Sequence, residues 1–276
     1  MKGERRKTMT LKEYAEAVAS KIDGAKIVEV EKENKVKFVG IHLCGETISP
    51  TIYVNDCYEQ NADVDTAVDY VNDMLVKCRT PKFLKNLNVT DWYSIKSYLR
   101  MTLVNKKSIG EVYLDGKQFG FDDLKLTPKI ILPLDDSFGS VTLNRGHIKA
   151  WGIDEREALE IALNNTYIEG AVFTDLLSMC QRISGEDFDV LAENIPAVYI
   201  VSNAHLFRGA VMAIVAQQKL QRMYPEGYVV IPSSVHEVLV MSKHQYDAGM
   251  SDFMRFVNQT KVKPEEVLSD KVYVFD

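Results

Sequence analysis

The residues best suited to chemistry lie at Pro232-Ser233-Ser234-Val235-His236-Glu237, where hydroxyls, an imidazole and a carboxylate follow one another closely. A hydrolase could be built here with Ser233 or Ser234 as nucleophile, His236 as base and Glu237 as the local acid. On an extended segment, however, Ser234 and His236 point to one face and Glu237 to the other, so these neighbours cannot close a triad without a sharp bend. A working site would need His236 to reach a serine, a remote acid to orient the ring and an oxyanion hole. The alternative is structural. A Pro-Ser-Ser turn joins two strands, its hydroxyls cap backbone amides, and His236 hydrogen-bonds across the sheet. This second reading is the one preferred here.

Two other clusters invite a chemical reading. Arg145, His147 and Lys149 could form a small anion-binding edge where a short helix begins ahead of Trp151, although the ordinary reading is an exposed helical start with Trp151 in the core. Asp115-Gly116-Lys117 and Asp122-Asp123-Leu124-Lys125 fit the loose carboxylate-x-lysine pattern with which nucleases hold a cation and polarise water. In a chain with 39 acids and 33 lysines and arginines, such tripeptides also arise by chance. His42, His147, His205 and His244 form no H-x-x-x-H or H-x-H pair, so no metal is predicted. Phosphate-binding glycine loops are absent and no cofactor is predicted. Tyr224, Tyr228, Met212 and Met223 could form an adaptable binding face, but a core requires the same spacing.

Several elements must position these residues. Thr10 with Glu13 forms a capping box ahead of a helix carrying Leu11, Tyr14, Val18 and Ile22, which Gly24 can stop in a left-handed conformation. A hairpin over Ile27–Phe38 follows, with Gly40 read as a bulge and Thr51–Val54 as a third strand. The spacing predicts a helix from Val64 to Cys78 and another from Asp91 to Asn105 on the stripe Ile95, Leu99, Thr102 and Leu103. Periodicity collapses over 106–127, where Gly110, Gly116 and Gly120 cluster. A hairpin over Ile130–Leu143 comes next, and Asp154 with Glu157 reads as a second capping box for a helix to Asn165. A helix over about Phe173–Ile183 follows. The C-terminal stretch then reads β-α-β-β-α-β, its first helix, Gly209–Tyr224, apolar nearly all round and so predicted to be sandwiched. Hairpins mixed with amphipathic helices define an α+β, or mixed α/β, fold class with a mixed, largely antiparallel sheet. The expected organisation is a disordered basic N-terminus at 1–9, an α/β half at 10–105, a connecting segment at 106–127 and a second α/β half at 128–276.

At 276 residues, 46% hydrophobic and 26% charged, the chain can bury a sizeable core and lies outside the composition of disordered proteins. A net charge of −6 argues against nucleic acid as a partner, since only Lys2–Lys7 forms a dense basic run. No apolar stretch reaches the roughly 18 residues that would cross a bilayer, so no membrane association is expected and the protein is placed in the cytoplasm. Cys44, Cys57, Cys78 and Cys180 show no C-x-x-C pairing and read as free thiols, with Cys78 and Cys180 on apolar helix stripes.

Three stretches together resemble an uncharacterised bacterial domain-of-unknown-function family frequent in Gram-positive anaerobes and mobile elements. They are Ile48-Ser49-Pro50-Thr51-Ile52-Tyr53-Val54-Asn55-Asp56, the segment Leu143–Ile153 with its Trp151-Gly152 pair, and the run from Ile231–Val238 to Pro264–Tyr273. The resemblance spans about Thr10–Asp276 and implies one shared architecture, with no activity to transfer. The reading is therefore a non-enzymatic binding or regulatory protein with a protein partner, acting as a mobile-element accessory or inhibitor. A hydrolase using Ser234 and His236 is the alternative, and a metal-dependent nuclease the second alternative.

Overall fold

The computed structural model describes residues 9–44, 50–77, 87–134, 137–184, 197–247 and 249–276. The chain divides into two compact units. One holds Met1–Leu87 with Pro133–Gly139, and the other holds Asn88–Leu132 with Ser140–Asp276.

In the first unit Thr10 caps α1 (Leu11–Ala19) as its sequence predicts: its hydroxyl accepts the Glu13 amide at 3.3 Å, and the Glu13 carboxylate accepts the Thr10 amide at 2.8 Å. Gly24 takes the left-handed φ of +69° that lets the chain turn into β1 (Ala25–Glu31). β1 pairs antiparallel with β2 (Lys37–Leu43) without interruption, and β2 pairs with β3 (Ile52–Tyr53). The predicted bulge at Gly40 is therefore absent. A Cβ there would overlap Thr51 and lie 3.2 Å from the Tyr53 ring, so the glycine permits the close approach of β3 instead. α2 (Asn55–Glu59) and α3 (Val64–Lys77) follow. Tyr14, Val18, Ile41, Val54, Ala67 and Val71 form the core between the helices and the sheet. Cys78 falls outside the described residues.

The second unit begins at Asn88. The helix predicted over Asp91–Asn105 ends after one turn, α4 (Trp92–Ile95), and one 3-10 turn, before the chain extends into β4 (Leu99–Asn105). Met101, Thr102, Leu103 and Val104 are all buried, so both sides of the segment face protein and no polar stripe remains for a surface helix. Segment 106–127 carries β5 (Leu114–Asp115) and the start of β6 (Leu124–Pro133), a long strand that pairs with β4, β5 and β7 (Phe138–Thr142). Lys125 is buried on β6, and its ammonium donates to the carbonyls of Ser108 at 2.7 Å and Gly110 at 3.1 Å, which holds that loop against the strand.

α5 (Arg145–Trp151) and α6 (Glu155–Glu169) come next. α6 runs one turn past Asn165 and seals the edge of β4: Thr166 Oγ1 accepts the Met101 amide at 2.8 Å and Asn165 Nδ2 donates to the Leu99 carbonyl at 3.0 Å. Asp154 caps α6 by accepting the Glu157 amide at 2.8 Å, but the return half of the predicted capping box is not made, because the Glu157 carboxylate accepts the Trp92 indole N–H instead. The helix predicted over Phe173–Ile183 is split into β8 (Val172–Asp175) and α7 (Leu176–Ser184), and Cys180, expected to be buried, is exposed.

The remaining elements keep the predicted order: β9 (Tyr199–Ser202), α8 (Met212–Val215), α9 (Gln217–Met223), β10 (Tyr228–Pro232), β11 (Val238–Ser242), α10 (Gly249–Thr260) and β12 (Tyr273–Phe275). Ala210, Val211, Met212, Ala213, Ile214 and Ala216 are buried, in keeping with a charge-free, sandwiched segment. The strands form a five-stranded sheet in the order β12-β10-β11-β9-β8, every neighbour antiparallel. The protein is thus α+β, with three antiparallel sheets of three, four and five strands among the described residues.

Candidate functional site

Ser233–Glu237 joins β10 to β11, strands held in register from Tyr228↔Ser242 to Pro232↔Val238. Within this turn the Ser234 amide donates to the Glu237 carbonyl at 3.2 Å, and the Ser234 hydroxyl accepts the His236 amide at 3.0 Å. The serine oxygen is therefore engaged with the backbone.

Two other segments meet the turn. From one side comes the loop Asn203–Arg208 that leaves β9. Asn203, itself buried, closes the loop by accepting the Phe207 amide at 3.1 Å and donating to the Phe207 carbonyl at 2.9 Å. The Arg208 amide then donates to His236 Nδ1 at 3.2 Å, Ser202 Oγ donates to the His236 carbonyl at 2.7 Å, and the Ala210 amide reaches the Val235 carbonyl at 3.3 Å. From the other side the Val235 amide donates to the Glu266 carbonyl at 2.9 Å, and the Glu266 carboxylate stands 3.6 Å from His236 Nε2. Both ring nitrogens of His236 thus face a partner, one a backbone amide and the other a carboxylate.

The loop is held in an unusual backbone. Leu206 and Arg208 have φ of +51° and +52°, a left-handed conformation that side-chain-bearing residues rarely adopt. The next residue is Gly209, where a Cβ would overlap Ser202 Oγ and lie 2.6 Å from the Asn203 nitrogen and 2.8 Å from the His236 carbonyl. Only glycine fits there. Leu206 in this loop is 48% exposed, and Arg208 Nε donates to Ser140 Oγ at 3.1 Å.

Electrostatics follow the geometry. The His236 ring, 3.6 Å away, holds the Glu266 carboxyl below the ordinary range, with Lys263 and Arg208 adding to the effect, whereas burial pushes Glu237 up. The acid that meets the imidazole is therefore Glu266. Glu237, its sequence neighbour, has its carboxylate turned into a partly desolvated setting.

The other predicted sites are tied into the fold. His147 Nδ1 accepts the Asn144 amide at 3.2 Å, and its ring stacks on Trp151 at 5.6 Å. Burial lowers the His147 pKa. Arg145 pairs with Glu155 at 2.7 Å, and Lys149, one turn further along α5, is exposed. Asp115 caps a 3-10 turn and pairs with Lys106 at 2.8 Å. Asp122 pairs with Lys271 at 2.7 Å, and Asp123 accepts the Tyr273 hydroxyl at 2.5 Å and the Ser269 hydroxyl at 2.8 Å. Among the described residues no group of three or more His, Cys, Asp or Glu side chains could hold a metal ion, and no helix is long and apolar enough to cross a membrane.

Sequence reasoning reached Ser234 and His236 but not Arg208, Gly209 or Glu266. The only local hint was the Arg208-Gly209 pair, since glycine after a bulky residue can mark a tight backbone approach.

Taken together, this is an α+β protein whose candidate site is a histidine-centred junction of three chain segments. The chain belongs to a family of unknown function (DUF5688), matched over residues 8–276. No curated protein and no solved structure matches it.

Proposed function

We propose that the protein is a non-enzymatic binding or regulatory protein of the cytoplasm, acting through protein–protein contacts as an accessory or inhibitor factor of a mobile element, and that it recognises its partner with the loop Asn203–Val211. The observation that carries this reading is the way His236 holds the loop. Its Nδ1 accepts the Arg208 amide, and this helps keep a left-handed backbone in place beneath the exposed Leu206. A conformation that needs such support is characteristic of a functional segment. An apolar side chain raised on a rigid loop beside an arginine is a suitable contact for a protein surface, and the net charge of −6 favours a basic partner through steering. The mobile-element setting rests on the resemblance of the three sequence stretches.

A photo-crosslinker placed at position 204, an exposed neighbour of Leu206, tests the reading in the native host. One stoichiometric protein is expected, and Leu206→Asp should abolish its capture. Equal capture by Leu206→Asp, or none by either protein, would overturn it.

One observation favours the hydrolase alternative: Glu266 lies 3.6 Å from His236 Nε2, where a remote acid would stand. The position that a serine oxygen would take at the other ring nitrogen is filled by the Arg208 amide. Fluorophosphonate labelling of Ser234 that disappears in His236→Ala would favour this second reading, and absence of labelling removes it.

A further inference from the structure

The bond between the Arg208 amide and His236 Nδ1 has a definite proton requirement. The backbone N–H is a donor, so Nδ1 must be bare for the 3.2 Å contact to be a hydrogen bond, and the ring proton of neutral His236 then sits on Nε2, toward Glu266. A second proton would turn Nδ1 into a donor that faces a donor.

We infer that His236 is a proton-operated latch, and that charging its ring releases the Arg208 segment of the loop. Three features carry this. First, the latch acts on backbone held at positive φ at Leu206 and Arg208, so loss of the bond leaves a segment that gains by relaxing. Second, the charged groups around the ring are placed by the fold: Glu266 faces Nε2 from the 263–267 segment, Glu237 follows His236 in its own turn, Arg208 comes from the loop, and Lys263 bears on Glu266. Third, the remaining ties keep the change local. The Asn203 side chain still holds Phe207, the Ala210 amide still holds the Val235 carbonyl, and the β10–β11 pairing does not involve the ring. The inference stands whether or not the loop docks a partner, because it concerns the loop's own opening.

Amide hydrogen exchange on the full chain, corrected for intrinsic exchange and followed from about pH 8 to about pH 5, tests it. The Arg208 amide is expected to lose about tenfold or more of its protection as the pH falls through the imidazole range, while β10 and β11 keep theirs. In His236→Gln, which offers an acceptor that does not titrate, protection at Arg208 should be independent of pH. Unchanged wild-type protection, or the same pH dependence in His236→Gln, overturns the inference. Should that variant fail to fold, the wild-type His236 ring and the Arg208 amide can be followed together by NMR. Joint titration supports the latch, and a ring that titrates beside an unmoved amide overturns it.

Discussion

The indole N–H of Trp92 donates to the carboxylate of Glu157 at 2.9 Å, joining the single turn of α4 to the first turn of α6. Trp92 is buried, and its ring also lies against Trp151 with centroids 5.4 Å apart. Glu157→Ala leaves a buried donor without this acceptor and should cost about 1–2 kcal/mol, whereas Glu157→Gln retains an acceptor and should cost less. Chemical denaturation followed by tryptophan fluorescence checks both. Equal losses would show that the carboxylate acts only as helix-terminal charge.

Gly209 and Gly24 separate two reasons for glycine. At Gly24 the φ is +69° and an added Cβ meets nothing within 4 Å, so Gly24→Ala should cost only backbone strain, about 1 kcal/mol. At Gly209 a Cβ would press on Ser202, Asn203 and the His236 carbonyl together, and two of these contacts are with backbone. Gly209→Ala should therefore cost about 2–4 kcal/mol and expose the 203–211 loop to proteolysis. Thermal denaturation of the two variants in parallel measures the difference.

The two glutamates beside His236 should respond to pH with opposite signs. Glu266 is held below the ordinary carboxyl value of 4.5 by the His236 ring beside it, so its contribution is present above that value and is lost as the pH falls through the lower folded-state pKa. Glu237 is raised by burial, so its ionisation opposes folding near neutrality and this penalty vanishes once the pH is below the ordinary value. Glu266→Gln should then destabilise at pH 7, and Glu237→Gln should stabilise. Both differences from wild type should shrink in acid, as urea midpoints across pH would show.

Tyr228 is buried, stacks on Phe275 at 4.8 Å, and its hydroxyl finds no partner among the described residues. Burial pushes the phenol up to about 12. Because no protein hydrogen bond is lost, Tyr228→Phe should leave stability unchanged or raise it by up to about 1 kcal/mol. A loss of 1 kcal/mol or more would mean that the hydroxyl is bonded in solution.

The parts of the fold legible in the sequence were those fixed by neighbours along the chain. Thr10 and Glu13 are three residues apart and bond to each other, and the strand order from Tyr199 to Phe275 follows from alternating apolar runs. β4 was misread because Ile95, Leu99 and Leu103 recur at helical spacing, while its burial on both sides depends on partners elsewhere in the chain. The site divided along the same line. The turn at Ser233–Glu237 could be inferred, but the ring's two partners could not: Glu266 lies 30 residues further on, and the other is a backbone amide, a group every non-proline residue carries and no sequence pattern marks.

The helix side chains laid along β4 have a consequence for how copies of this protein meet. With the Met101 amide and the Leu99 carbonyl already bonded to α6, that margin offers no template at these positions on which a second molecule could extend the sheet. Edge-to-edge association would have to start from other outer strands, such as the seven-residue β1 of the three-stranded sheet or β8 and β12 of the five-stranded sheet, which span four and three residues.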